Sequence, residues 1–101
     1  MGMRAEEKSA LQSAHLDLIR DMNPTALKDP LYNRKLLTLD EYEMLDSKPT
    51  TRSKNTFITM LLPRKGASAF RDFISCLRET GDENSAHIDL ANDLESRLHE
   101  Q

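Results

Sequence analysis

The chain has 101 residues, 38% of them hydrophobic, and a formal net charge of −3. This length fits one domain with one core, and the acidic balance argues against a protein that binds nucleic acid over its whole surface. No apolar run is long enough for a membrane span, and the N-terminus lacks the apolar centre of a signal peptide. The single cysteine, Cys76, excludes an internal disulfide framework and suits a reducing compartment, so we expect a cytoplasmic protein.

The first predicted helix covers residues 4–22, and Pro24 requires it to stop near Asn23. Its apolar face is predicted from four residues, Leu11, Ala14, Leu18 and Met22. Leu16 and Ile19 lie beside this face. Residues 1–3 are expected to be a disordered start or a cloning remnant, and residues 4–99 a single helical domain.

The second predicted helix contains Leu27 and Leu31 but also Pro30. A proline there either kinks the helix or takes its first position after a cap at Asp29. We therefore expect this helix to be short or kinked.

The third predicted helix opens with the capping box Thr38-x-x-Glu41 and runs to about Ser47. It is expected to bury Leu39, Tyr42 and Leu45. The turn Pro49-Thr50-Thr51 then opens a fourth helix.

The fourth and fifth helices are predicted to form a hairpin of two core helices, which other helices must cover. Residues 63–66, Pro-Arg-Lys-Gly, predict a tight corner between them, since Pro63 disfavours helix at Leu62 and Gly66 can adopt left-handed geometry. Beyond the corner, one helical stripe is formed by Phe70, Phe73, Ile74 and Leu77. Cys76 lies within this helix and is expected to be a small core residue rather than a nucleophile.

The last helix follows Gly81 and has an apolar face made of Ile88, Leu90, Ala91, Leu94 and Leu98. No stretch shows the alternation of a strand. The fold class predicted from these elements is all-α, a bundle of six short antiparallel helices.

No catalytic constellation is visible. The histidines, His15, His87 and His99, have no partner at metal-ligand spacing, and no glycine-rich phosphate loop is present. We therefore expect no enzymatic activity, no cofactor or metal, and no small-molecule substrate.

Charge, in contrast, is strongly segregated along the chain. The third predicted helix contains Asp40, Glu41, Glu43 and Asp46 and no base. The following stretch, residues 47–71, contains bases and no acid: Lys48, Arg52, Lys54, Arg64, Lys65 and Arg71. Folding such a chain into a bundle places opposite charges on different faces, which lets one copy dock head-to-tail onto another.

Residues 4–98 resemble a caspase recruitment domain (CARD) of the death-fold superfamily. The most specific match is LLPRKGASAFRDFISCLRETG, residues 61–81, which is similar to initiator-caspase prodomains. A second match, Leu37-Thr38-Leu39 followed by acids and then Lys48-Pro49-Thr50, resembles apoptosome-type adaptors.

The resemblance implies homotypic binding to another CARD-containing protein, a caspase or an adaptor, or to a second copy. Such binding would assemble an apoptotic or inflammatory caspase-activating complex. It implies an acidic partner-binding face made of Asp29, Asp40, Glu41, Glu43 and Asp46. The basic face that would meet it is made of Lys8, His15, Arg20, Arg52 and Lys54. A secondary contact would join two helix corners through Arg64, Lys65, Asp82 and Glu83.

Two alternatives remain open at this stage. One is a stand-alone inhibitory CARD that caps such assemblies. The other is a small helical nucleic-acid-binding domain that uses Arg52, Lys54, Arg64 and Lys65 on a recognition helix. Those bases sit at the ends of the most apolar helix rather than along one face, which disfavours nucleic acid as a partner.

Overall fold

The computed structural model describes residues 2–99 of the chain, with side chains as far as residue 98. This part forms seven α-helices and no strand: α1 (Ala5–Ser13), α2 (His15–Asp21), α3 (Pro24–Asn33), α4 (Leu39–Ser47), α5 (Thr51–Leu61), α6 (Ala69–Glu79) and α7 (Ser85–His99). A 3-10 turn, Leu62–Arg64, joins α5 to α6. The all-helical bundle expected from the sequence is confirmed. None of the described helices combines the length and the apolar character that crossing a bilayer requires.

The first predicted helix is divided in two at Ala14, which raises the number of helices from six to seven. The hydroxyl of Ser13 donates to the carbonyl oxygen of Ala10 at 3.1 Å, the kind of side-chain bond that bends helices. The break lets α1 pack on α7 while α2 packs on both α5 and α7. Of the two residues that the sequence places beside the apolar face, Ile19 is buried, whereas Leu16 is 71% exposed.

The packed part of the chain includes residue 3. Met3 is 4% exposed and belongs to the core. Met1, in the predicted start of residues 1–3, lies outside the described residues.

The second predicted helix, α3, is unbroken across Pro30. Its first position is taken by Pro24, and the side chain of the preceding Asn23 accepts a hydrogen bond from Ala26 N–H at 3.3 Å. Pro30 removes one backbone hydrogen bond because it has no N–H. The helix is short, with ten residues, and it continues through Pro30, with Leu27 and Leu31 buried on either side of the proline.

The C-terminus of α3 is a Schellman motif with a lysine at the left-handed position. Leu36 N–H donates to Leu31 O at 2.8 Å, and Lys35 N–H donates to Tyr32 O at 3.0 Å. Lys35 has a φ of 64°, a conformation in which glycine is usual. Leu36 and Leu31 are both buried, which is the hydrophobic contact that accompanies this motif.

The capping box of α4 is confirmed. Glu41 N–H donates to Thr38 Oγ1 at 3.1 Å, and Thr38 N–H donates to Glu41 Oε1 at 2.9 Å. Leu45 is 1% exposed and Tyr42 is half-buried, but Leu39 is 56% exposed. The predicted burial of Leu39 is wrong because this residue, six positions before Leu45, does not share its helical stripe.

The core is centred on α6, which packs on α3, α7 and the 3-10 turn. The predicted stripe is buried along its whole length: Phe70, Phe73, Ile74 and Leu77. Gly66 ends the α5–α6 corner with a φ of 102°, as expected for a left-handed glycine. Cys76 is fully buried, and this burial raises the pKa of its thiol to about 12.

Gly81, between α6 and α7, is required for a close approach. A Cβ atom built at this position would overlap the Cγ1 and Cδ1 atoms of Ile88. A glycine here therefore lets α7 begin directly against the end of α6.

Two buried polar side chains tie the α2–α3 segment to the rest of the bundle. The amide of Asn55 on α5 donates to Ile19 O at 2.9 Å and to Met22 O at 3.0 Å. The ring of His87 on α7 accepts from Asn23 N–H at 2.9 Å. Both side chains are fully buried, so these bonds are shielded from water.

Candidate functional site

Among residues 2–98, no three His, Cys, Asp or Glu side chains are arranged to hold a metal ion. The buried His87 uses both ring nitrogens within the protein, one facing Asn23 N–H and the other Thr80 Oγ1. The side chain of His99 lies outside the described residues. The surface features that remain are grooves and charged faces.

Two grooves run side by side along α5. One, of about 270 Å³, lies between α1 and α5 and includes Lys8, His15 and Met60 in its lining. The other, of about 520 Å³, lies along α5 and includes Lys48, Arg52 and Met60. Met60 lines both, so the grooves form one continuous surface, which we call the α1/α5 face. Neither lining contains an acidic residue.

The bases of the α1/α5 face are available to a partner. Lys8 and Arg52 are exposed and form no ion pair within the described part of the chain. Lys48 Nζ lies 5.0 Å from the ring centroid of Phe57, a cation–π arrangement that leaves the charge at the surface. The face therefore presents positive charge that no acid in its lining neutralises.

Two residues predicted for the basic face lie elsewhere. Lys54 comes two positions after Arg52, a spacing that places the two on different sides of a helix, and it lines neither groove. Arg20 donates to Asp17 and Asp21, at 2.9 Å each, and lines a separate groove between α2 and α7. The hydrogen bond and charge of Asp21 raise the pKa of Arg20, so its positive charge is held within a local cluster.

The acidic residues on α3 and α4 form a second surface. Asp40 and Glu43 are exposed on α4 and have no ion-pair partner among the described residues. Asp29 is exposed on α3 and accepts a hydrogen bond from the Tyr42 hydroxyl at 2.7 Å. That bond to Asp29 raises the pKa of Tyr42. We call Asp29, Asp40 and Glu43 with their surroundings the α3/α4 face.

The other two acids predicted for this face form ion pairs with lysines of the same chain. Asp46 pairs with Lys28 at 2.8 Å, and Glu41 pairs with Lys65 at 2.5 Å. Burial alone would raise the pKa of Glu41, but the hydrogen bonds from Lys65 and Thr38 outweigh burial and lower it. Glu41 and Asp46 therefore contribute less free negative charge than the sequence suggests.

The secondary contact residues lie at opposite ends of α6. Arg64 is exposed and without an ion pair in the described structure, whereas Lys65 is held by Glu41. Asp82 and Glu83 are exposed and line a groove at the α6–α7 corner. A helix of 11 residues spans about 16 Å, so the two corners can meet only between molecules.

Sequence reasoning missed two members of the α1/α5 face, Lys48 and Met60. Lys48 precedes α5 in the chain, and its position beside Phe57 depends on how α4 packs on α5. Met60 belongs to an apolar run, yet it lies two positions from the buried Ile58 and is 63% exposed. Two positions correspond to about 200° around a helix, so the sequence could have shown that Met60 lies on the opposite side from Ile58.

Comparisons with known proteins identify the family of this chain. The family model for the caspase recruitment domain matches residues 8–93. Caspase-2 of Gallus gallus is 27% identical over 96 residues, which cover 95% of this chain but only 23% of that protein. No solved structure gave a significant match. The chain therefore belongs to the caspase recruitment domain family, whose members are non-catalytic interaction modules of caspase-related proteins.

Proposed function

We propose that this domain binds another CARD homotypically, its α1/α5 face meeting the α3/α4 face of the partner. The observation that carries the proposal is the separation of unpaired charge. After internal ion pairs are set aside, the α1/α5 face keeps Lys8, Lys48 and Arg52, and the α3/α4 face keeps Asp29, Asp40 and Glu43. Opposite charge on two different faces favours head-to-tail docking.

The proposed role is the assembly of an apoptotic or inflammatory caspase-activating complex in the cytoplasm. The chain spans less than a quarter of Caspase-2, so the domain would act as the recruiting part of a longer protease or of an adaptor. Docked CARDs would hold attached effectors at high effective concentration, and these could then activate one another without chemistry in this domain. A free, buried Cys76 is compatible with a reducing compartment.

A nucleic-acid partner is less well supported than a protein. The recognition helix for nucleic acid would be α5. However, Arg52 and Lys54 lie on different sides of this helix, and Lys65 is paired with Glu41. Phosphate binding requires several free bases along one surface. The α1/α5 face offers few such bases and lies beside an apolar side chain, Met60.

The test uses two charge-reversed variants, Lys48→Glu/Arg52→Glu and Asp40→Lys/Glu43→Lys. Binding is measured by sedimentation and by fluorescence anisotropy, both to the chain itself and to the matching segment of Caspase-2. Either variant alone should lose self-association, and mixing the two should restore it because opposite charges face each other again. The effect should weaken in high salt, which screens exposed charges.

The matched control is Arg71→Glu, an exposed base on α6 that lies outside both faces and has no ion pair among the described residues. The Arg71→Glu variant should bind both probes with the same affinity as the unmodified chain. Thermal melts must show that all variants are folded, since Asp40 also favours the α4 N-terminus by about 0.3–1 kcal/mol. Folded variants that still bind both probes would contradict the proposal. If the unmodified chain binds itself, failure of the mixed variants to restore this binding would contradict it as well.

A further inference from the structure

The corner between α5 and α6 presents an exposed serine. The 3-10 turn ends at Arg64 and α6 begins at Ala69, so the residues between them are not helical. Ser68 is exposed at the end of this stretch, and its side chain makes no capping hydrogen bond to α6. Its hydroxyl is therefore at the surface, where an enzyme can reach it without opening the core.

Two bases precede this serine in the chain. Arg64 lies four positions before Ser68, and Lys65 lies three positions before it. Every other serine of the sequence lacks a base at one or both of these positions. Protein kinases distinguish their substrates by the pattern of charge around the acceptor hydroxyl. The pattern at Ser68 fits a kinase whose substrate groove is acidic.

The two bases differ in how freely a kinase can bind them. Arg64 is exposed and forms no ion pair within the described part of the chain. Lys65 Nζ lies 2.5 Å from Glu41 Oε1, and the two side chains are only 16% and 22% exposed. In the folded domain Arg64 is thus the free recognition residue, while Glu41 partly withholds Lys65.

We propose that Ser68 is a phosphorylation site, modified by a serine/threonine kinase that recognises Arg64 and Lys65. In the transfer step, Oγ of Ser68 forms a bond to the γ-phosphorus of ATP, and the bond from this phosphorus to the ADP oxygen breaks. The hydroxyl proton passes to the catalytic carboxylate of the kinase, so the products are phosphoserine and ADP. The proposal does not depend on which face of the domain binds a partner.

The phosphate changes both the charge of the corner and the surroundings of Lys65. A phosphoserine carries a charge of about −1.5 to −2 at neutral pH. Once the Lys65–Glu41 pair is set aside, the corner keeps one free positive charge, that of Arg64, so its sign is reversed. Phosphate oxygens accept strong charge-assisted hydrogen bonds. The new group therefore competes with Glu41 for Lys65 and frees negative charge on α4.

The experiment treats the folded 101-residue chain with ATP and a purified kinase that selects bases at these two positions. Modified residues are located by mass spectrometry. Ser68 should be phosphorylated, and Ser68→Ala should lose this phosphate. Ser85 is the matched control, because it is also exposed where a helix follows a corner but has Asp82 three positions before it. Phosphate at both serines at equal rates, or at neither, would contradict the proposal.

Two variants test the recognition residues. Arg64→Ala should slow phosphorylation of Ser68 about tenfold, because a charged contact with the kinase is lost. Glu41→Gln keeps the capping box, which glutamine also serves, but frees Lys65. It should speed the reaction about two- to fivefold. An unchanged rate in Glu41→Gln would contradict the part assigned to Lys65.

A third variant separates modification of the folded domain from modification of the unfolded chain. His87→Gln removes buried hydrogen bonds at the other end of α6 and leaves the corner unchanged. Ser68 should be phosphorylated at the same rate in His87→Gln and in the unmodified chain. A rate that rises with the unfolded fraction would overturn the proposal, since Ser68 would then be reached only after unfolding.

Phosphorus NMR of the phosphorylated chain tests the charge effect. The second pKa of the phosphate should lie below its ordinary value of about 6, because Arg64 and Lys65 favour the doubly charged form. Lys65→Gln should raise this pKa. A value equal to that of a free phosphoserine peptide in both proteins would contradict the competition with Glu41.

Discussion

The Nε2 atom of His87 accepts a hydrogen bond from the backbone N–H of Asn23, a residue 64 positions away, at 2.9 Å. Accepting this bond requires Nε2 to carry no proton, so the ring is neutral in the folded domain. Its Nδ1 atom lies 2.6 Å from Thr80 Oγ1, which is itself within 3.0 Å of Cys76 O. The ring therefore joins the α2–α3 link to the end of α6.

Folding should weaken as the pH falls from about 7 to 5. Burial lowers the pKa of His87 below its usual 6.5, so the unfolded chain takes up a proton more readily than the folded domain. The stabilisation is complete above about pH 6.5 and is lost as the pH falls from there towards the lower pKa of the folded state. The pKa values of Asp21 and Glu41 are lowered from 3.8 and 4.5 in the folded domain, so protonation of these carboxylates causes a separate loss of stability at more acidic pH.

The measurement is the urea midpoint as a function of pH. His87→Gln should cost about 1–3 kcal/mol at neutral pH, because a buried donor loses its partner, and should flatten the profile between pH 7 and 5. His15→Gln is the matched control and should keep the unmodified slope. A slope that persists in His87→Gln would show that another group is responsible.

Replacing Asn55 by an acidic residue should destabilise the domain more than replacing it by an apolar residue. Its amide supplies both hydrogen bonds to the end of α2, while its Oδ1 is buried without a partner in the described structure. Asn55→Asp replaces the donor with a charged acceptor and should cost about 2–5 kcal/mol. Asn55→Leu loses the same bonds but buries no charge, and should cost about 1–3 kcal/mol.

Urea unfolding of both Asn55 variants at neutral and at mildly acidic pH checks this order. The difference in unfolding free energy between the two variants should become smaller at acidic pH, because the introduced carboxyl group is then protonated. A leucine variant less stable than the aspartate variant would contradict the assignment of Asn55 as a hydrogen-bond donor.

Lys35→Gly should stabilise the domain. A non-glycine residue in left-handed geometry costs about 1–2 kcal/mol, and the extra flexibility of an unfolded glycine offsets about 0.5–1 kcal/mol of this. Because Lys35 is exposed and has no ion pair in the described part of the chain, little else changes. We expect a gain of roughly 0.5–1 kcal/mol by thermal melt. Lys35→Val, which cannot easily adopt this φ, should lose stability, and equal effects of both would contradict the role of the backbone.

Cys76 should react slowly with thiol reagents in the native state. The thiolate is the reactive form, and burial raises the thiol pKa to about 12 while excluding the reagent. Labelling should follow unfolding and accelerate with denaturant in parallel with loss of helical circular dichroism. Fast labelling of the folded domain would restore the hypothesis of a reactive cysteine.

The helices could be predicted because their signals are local. The Thr38–Glu41 capping box and the stripe of α6 depend on residues within one or two turns, and the structure confirms both. The break at Ala14 and the continuity of α3 through Pro30 could not be predicted. They depend on which helices pack against these segments, and periodicity does not identify the neighbour.

The candidate faces were predictable only in outline. Asp40, Glu43 and Arg52 could be identified from segregated charge, and their binding role is still a prediction. The ion pairs Glu41–Lys65 and Lys28–Asp46 join residues 24 and 18 positions apart, so no local rule reveals them. Which charges remain free on the surface therefore becomes clear only once the helices are placed.

The close packing of Gly81 on Ile88 constrains how this domain can change during evolution. A side chain at position 81 would overlap the end of the Ile88 side chain, which must shift to make room, whereas shortening the half-buried Ile88 only removes apolar contacts. A smaller residue at position 88 should therefore make a side chain at position 81 less damaging. Ile88→Ala should be folded but less stable, Gly81→Ala alone should be the more damaging change, and the double variant should recover part of that loss. Related sequences that lack glycine at this corner should accordingly have a small residue where Ile88 stands.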